Sequence, residues 1–205
     1  MPRRPDMPPL HRSALLDDPI EQFRAWYERA EREVPLAHAM TLATVDAEGV
    51  PDARMVLLKG FGREAFRFFT NLNSAKARQL EATRRAALVL YWRELDRQVR
   101  VRGPVERLPE AESDEYFASR PRDSQIGAWA SPQSEPLPDR EALDALVHEI
   151  EEPFSGGDVP RPPFWGGYAL RPEEIEFWQG QAGRLHDRFR YSRDGDGWRL
   201  DRLAP

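Results

Sequence analysis

The sequence predicts an α+β fold, mainly β, built on an antiparallel barrel with short helices set between its strands. Three observations carry this. Segments with strand character follow one another through hairpin turns, without the long helical crossovers that parallel neighbours need. Stretches with helical periodicity are short and lie between those segments. Hydrophobic residues make up 40% of the 205 positions, enough for one core of ordinary size, and no internal repeat divides the chain.

Taken in order, residues 1–18 carry proline and charge without a period and read as a flexible N-terminal arm ahead of one domain over 19–205. Ile20, Phe23, Trp26, Tyr27 and Ala30 recur at helical spacing, with Asp18 placed to cap and Pro19 at the first helical position; Pro35 stops the helix. Met40 to Val45 reads as a strand, Asp46 to Gly49 as a turn and Ala53 to Lys59 as the hairpin partner, with a third strand at Ala65 to Thr70. Asn71 to Asn73 then opens a helix that Ser74 can cap. Ala86 to Trp92 and Gln98 to Leu108 form a long antiparallel pair joined near Glu94 to Asp96. Helical stretches follow from Pro109 through Phe117, over Asp123 to Ala130 and over Asp139 to Ile150, which makes about 109–152 a small helical subdomain. Beyond a Gly- and Pro-rich loop the chain returns to strands at Trp165 to Leu170, Glu174 to Trp178, Leu185 to Tyr191 and Trp198 to Leu203; Asp194 to Gly197 is a tight turn between the last two.

Composition narrows the function. A net charge of −5 argues against a general nucleic-acid binder, so no nucleic-acid partner is expected. There is no cysteine, which removes disulfides, thiolate metal sites and thiol nucleophiles. No metal is expected at the histidines either: His11, His38 and His148 stand at no ligand spacing from His186. The longest apolar run, Ala86 to Trp92, is far below the roughly 20 residues of a spanning helix, and Met1 to Pro9 has no apolar region of a secretory signal. The expectation is a soluble cytoplasmic protein with no membrane partner. No G-x-G-x-x-G follows a strand and no G-x-x-x-x-G-K-[ST] occurs, which disfavours Rossmann and P-loop sites. Of 30 basic residues only Lys59 and Lys76 are lysine, so these two mark places where a compact ammonium is needed, or chance survivors on the surface.

Four clusters can carry chemistry. In Arg54 to Lys59, strand alternation puts Arg54, Val56 and Leu58 on one face and Met55, Leu57 and Lys59 on the other. Cations at both ends could flank an anion, or simply reach solvent. Thr70 to Lys76 leads from a strand into a helix N-terminus, where free N–H groups, a hydroxyl and an ammonium suit a phosphate; alone it is a capped helix. Tyr116 and Arg120, spaced i, i+4, share a helix face, and Ser124 opens the next helix, a set suited to a phosphate monoester. Arg122 and Asp123 beside them can be an ordinary surface pair. Finally, if Arg184 to Arg188 is extended, Arg184, His186 and Arg188 line one face, and their mutual repulsion asks for a bound anion or an electron-rich ring.

These segments, together with Ser119 to Trp129, Phe164 to Gly167, Glu176 to Gly180 and the C-terminal Asp201 to Pro205, resemble the pyridoxamine 5'-phosphate oxidase family in register from about the first helix to the last residue. The resemblance implies a split β-barrel that binds FMN at a homodimer interface. It places FMN contacts at Arg54, Met55, Val56, Leu57, Leu58, Lys59, Phe69, Thr70, Lys76, Gln98, Gln133, Ser134, Trp178 and Arg188. Substrate contacts fall at Lys59, Tyr116, Arg120, Ser124, Arg184 and His186, the last two positioning the substrate ring for catalysis. The implied reaction is oxidation of pyridoxine 5'-phosphate or pyridoxamine 5'-phosphate to pyridoxal 5'-phosphate, with O2 as acceptor, hydrogen peroxide as product and ammonia from the amine. The chain departs from the family at Ala75, where an arginine is usual, at Phe69, where tyrosine is common, and in its shorter N-terminal arm. A non-catalytic flavin or pyridoxal-phosphate carrier, a deazaflavin reductase on the same barrel and a nucleic-acid binder are the rival readings.

Overall fold

The computed structural model describes residues 8–62 and 65–205. Its centre is helix α1 (Pro19–Glu33), capped as expected: the Asp18 carboxylate accepts from the Ile20 N–H at 2.8 Å, with Pro19 at the first position. The buried stripe Ile20, Phe23, Trp26, Tyr27 and Ala30 follows the 3.6-residue period, so one face of α1 is apolar and must be covered. A curled antiparallel sheet covers it. Phe23 meets Phe66 edge-on at 4.9 Å and Trp26 meets Phe177 at 5.1 Å.

The strands are β1 (Ala39–Val45), β2 (Pro51–Leu57), β3 (Gly60–Phe61), β4 (Phe66–Asn71), β5 (Arg85–Trp92), β6 (Arg97–Arg107), β7 (Trp165–Leu170), β8 (Glu174–Gln179), β9 (Asp187–Asp194) and β10 (Gly197–Leu203). Seven of them lie in the order β10-β9-β8-β6-β5-β1-β2, and β3-β4-β7 joins this run through β6. The long strand β6 is the junction: Arg97 to Arg102 pair with β8, while Val105 to Arg107 pair with β7. Gly103 sits at the switch, where a Cβ would overlap the Arg171 carbonyl oxygen, so only glycine allows the close approach. Every pairing is antiparallel, giving the split barrel with its core inside the curl.

Helices α2 (Ala75–Thr83), α3 (Glu110–Ala118), α4 (Arg122–Ala130) and α5 (Arg140–Glu151) complete the described α-helices. The last three pack beside β7 around a second cluster of Phe117, Ile126, Val159 and Trp165. The part of the N-terminal arm that is described lies along the sheet: Gln179 donates to the Pro8 carbonyl at 2.8 Å, Arg12 to Leu200 at 2.8 Å, and the Tyr191 hydroxyl to Leu16 at 2.6 Å. Residues 1–7 of that arm fall outside the described residues.

Two local expectations are corrected. Ser74 occupies the N-cap position of α2, but its hydroxyl donates to the Asn71 carbonyl at 2.7 Å and caps no helix N–H. The segment from Leu185 was expected to be extended; instead Ala182 to Arg184 forms a 3-10 turn, with φ of 66° at Gly183 and 61° at Arg184, and β9 begins at Asp187. The left-handed backbone breaks the alternation that would have aligned Arg184, His186 and Arg188 on one strand face. Among the described residues no helix is long and apolar enough to cross a membrane, and no group of His, Asp or Glu could hold a metal ion.

Candidate active site

A cleft of about 810 Å3 opens between β2, the β4–α2 junction and the α3–α4 corner. Its size falls in the range of roughly 300–1,000 Å3 usual for ligand sites. Met55 and Leu57 point out from β2 and are 62% and 41% exposed, and Lys59 follows just past the strand end. The inward partners behave as alternation requires: Leu58 is buried in the core, and Arg54 and Val56 are half-buried beneath the strand.

One wall is a stack of three aromatic rings. Phe69 lies 4.2 Å from Tyr116 and 5.3 Å from Trp165, with interplanar angles of 22° and 7°. Gly167 permits this, because a Cβ there would come within 2.7 Å of the Phe69 ring. Trp165, expected as the start of a strand and within the family-like segment Phe164 to Gly167, was assigned no contact; the paired glycines after it were the available sign of a ring packed flat on the strand.

The cleft has two cationic ends. At the first, Lys59 sits 5.7 Å from the Tyr116 ring centre and the Arg120 guanidinium 4.8 Å from that of Trp165. Arg120 lies past the end of α3 rather than on its face, because Pro121 disfavours helical backbone at the preceding residue. Among the described residues its buried Nη1 has no hydrogen-bond partner, and burial works against its charge. Ser124, in the first turn of α4, lines the same end. A guanidinium nitrogen withdrawn from water and left unpaired is what an anionic ligand would satisfy.

At the second end, the N-terminus of α2 meets the loop after α4. Lys76 Nζ donates to Gln133 Oε1 at 2.7 Å and the Thr70 hydroxyl to the same oxygen at 3.1 Å; the Ala75 N–H donates to the Ser134 hydroxyl at 3.2 Å. Ser134 adopts φ of 76°, a left-handed conformation costly for serine. Burial, and then the charge of Arg54, push the Lys76 ammonium down to about 8, against a smaller opposing effect of Asp52. Arg54 does not line the cleft: its guanidinium donates to Leu42 O at 3.1 Å, Thr44 Oγ1 at 2.6 Å and Gln79 Oε1 at 3.0 Å, and pairs with Asp52. It therefore acts on this end through its field and by bracing α2 against β1 and β2.

The remaining sequence-derived residues lie elsewhere on the chain. Gln98, Trp178 and Arg188 are directly opposed across β6, β8 and β9, and His186 packs on Trp178 with ring centres 4.6 Å apart. Arg188 is held by Glu176 at 2.9 Å and by the Ala204 carbonyl at 2.9 Å. The sheet path from β2 to β8 crosses β1, β5 and β6, about 19 Å at the usual strand spacing. One chain thus carries two separate clusters: the cleft with Lys59, Phe69, Thr70, Lys76, Tyr116, Arg120, Ser124 and Gln133, and the sheet surface with Gln98, Trp178, Arg184, His186 and Arg188.

Residues 20–152 match the family model described as pyridoxamine 5'-phosphate oxidase, and residues 165–205 match the pyridoxine 5'-phosphate oxidase C-terminal dimerisation region. The chain is 57% identical over 189 residues to the pyridoxine/pyridoxamine 5'-phosphate oxidase of Rubrobacter xylanophilus, covering 92% of this chain and 87% of the relative. It is 52% identical over 201 residues to the protein of the same name from Salinibacter ruber, covering 96% and 93%. Among solved structures it is similar to PhzG from Burkholderia lata 383 in complex with tetrahydrophenazine-1-carboxylic acid, with a TM-score of 0.90 and 34% identity over 98% of this chain and 100% of that one.

Proposed function

The chain belongs to the pyridoxamine 5'-phosphate oxidase family, and from that premise we propose that it oxidises pyridoxine 5'-phosphate and pyridoxamine 5'-phosphate to pyridoxal 5'-phosphate as an FMN-dependent homodimer. The observation that carries this reading is one cleft with two separate anion-seeking ends and an aromatic wall between them. Such a cleft suits two phosphate esters bound at once, each with a flat ring.

The α2 end fits the cofactor phosphate: the N-terminus of the helix, Thr70, Lys76, Gln133 and Ser134 bring donors together there, and among the described residues no carboxylate forms an ion pair with Lys76. Lys59, Tyr116, Arg120 and Ser124 then hold the substrate phosphate, with the unpaired Arg120 nitrogen as its anchor. Bound FMN would supply the two-electron acceptor for hydride from the substrate C4' carbon, with O2 as final acceptor and hydrogen peroxide as product. The alcohol yields the aldehyde directly, whereas the amine consumes one water and releases ammonia. The residues do the positioning. Arg184 and His186 orient the substrate ring from the second cluster, while Gln98, Trp178 and Arg188 complete the cofactor site from the same side. Since these two clusters lie apart on one chain, a second copy is the means of joining them, in keeping with the matched dimerisation region.

The test is an anaerobic visible spectrum of FMN-loaded protein before and after pyridoxine 5'-phosphate. Bleaching that air reverses is the expected result. A flavin that stays oxidised with both phosphate esters, yet is reduced by tetrahydrophenazine-1-carboxylic acid, would overturn the substrate assignment.

A further inference from the structure

Asp187 is buried at 2% exposure, yet its carboxylate joins three segments of the chain. One oxygen accepts from Arg202 of β10 at 2.6 Å; the other accepts from the Leu10 N–H of the N-terminal segment at 2.9 Å and from the Gln181 side-chain amide at 2.9 Å. A withdrawn carboxylate is stable only when its oxygens are filled in this way, so the three donors are fixed in place by the same requirement. The consequence reaches the turn between β8 and β9. Gln181 and Asp187 stand at its two ends, and their hydrogen bond closes it. The Gln181 backbone N–H in turn donates to His186 Nδ1 at 3.1 Å. A ring whose Nδ1 accepts from a backbone amide carries its proton on Nε2, so this bond selects both the orientation of the ring and the nitrogen that faces outward as a donor. Within the closed turn Gly183 and Arg184 take φ of 66° and 61°, a left-handed conformation that is free for glycine but costly for arginine, which needs support from its surroundings.

We propose that Asp187 is a positioning residue: by anchoring Gln181 it locks the turn that bears Arg184 and presents His186 as a fixed Nε2–H donor, and it ties the N-terminal segment to the same support. That Arg184 and His186 meet substrate rests on the function proposed above; the clamp itself does not.

Two variants test it. Asp187→Asn keeps the shape and weakens the acceptor. Gln181→Ala removes the link at a half-exposed side chain and guards against a folding failure of the first. The readout is the long-range proton–nitrogen spectrum of cofactor-free protein, tractable because the chain has four histidines. Wild type is expected to show His186 as a single Nε2–H form, and each folded variant to show its two nitrogens averaging. In the FMN-loaded protein, kcat/KM for pyridoxine 5'-phosphate should fall about tenfold to a hundredfold in Gln181→Ala. A His186 that already averages in wild type, or stays fixed in Gln181→Ala, overturns the proposal, as does unchanged kcat/KM in that variant. Absence of turnover in wild type would instead sink the proposed function, with the spectrum still deciding the clamp.

Discussion

At Lys76, burial and the neighbouring Arg54 guanidinium push the ammonium down to about 8, so the folded protein binds this proton more weakly than the unfolded chain, whose lysines titrate near 10.5. The sign follows. Below pH 8 the group is charged in both states and its unfavourable setting is fully felt; between about 8 and 10.5 that penalty is relieved and the cofactor-free protein gains stability as pH rises. A phosphate at the α2 N-terminus reverses the setting, so FMN affinity should weaken as pH rises through about 8, as read by flavin fluorescence titration. Lys76→Met should raise the melting temperature of the cofactor-free protein at neutral pH while weakening FMN about tenfold to a hundredfold, the size of a lost charge-assisted bond. Unchanged FMN affinity in that variant would remove Lys76 from the cofactor site. Arg120 makes a parallel case at the other end of the cleft. Arg120→Ala leaves no fold-internal hydrogen bond of Nη1 to break, so it should raise KM for the phosphorylated substrates roughly tenfold or more with little loss of stability. A variant that unfolds instead would mean the guanidinium serves packing on Trp165.

Helix α1 and the strands that wrap it act as one element, because the apolar stripe of the helix has no other cover. Phe23 is fully buried at the centre of four ring contacts, so Phe23→Ala should cost about 3–5 kcal/mol in urea unfolding. The β6 switch at Gly103 is the other structural hinge of the barrel, since the strand must serve β8 with one half and β7 with the other. The helices α3 and α4 owe their placement to Pro121, which ends one turn and starts the next, and so turns Arg120 into the cleft.

On the scale of the whole molecule, the proposed function makes the joining of the two clusters the condition for activity. If the cleft of one copy is completed by the sheet surface of another, Lys59→Ala and Arg184→Ala disable opposite halves. Mixing the two inactive proteins with subunit exchange should then restore about a quarter of wild-type activity, since half the dimers are mixed and each has one intact site of two. No recovery, with exchange verified by mass, would place both clusters in a site made by one chain.

Much of this was legible in the residues. Asp18 before Pro19 and the stripe from Ile20 to Ala30 determined α1, because capping and helical period are local properties. Alternation determined which side chains of Arg54 to Lys59 face inward, and the motif residues of the family marked the candidate contacts. What the sequence could not determine is what depends on groups far apart along the chain. The left-handed pair at Gly183 and Arg184 is held by a carboxylate that Leu10 and Arg202 also contact, so no local rule foresees it. Arg54, for which the resemblance implies a cofactor contact, is also held by Thr44 and Gln79, which reach it only once β1 and α2 have packed. The division of the candidate residues into two clusters was likewise decided by sheet order, because closure of the barrel puts β1, β5 and β6 between strands that each carry candidate residues. Local periodicity set the elements; tertiary closure set which of their side chains meet.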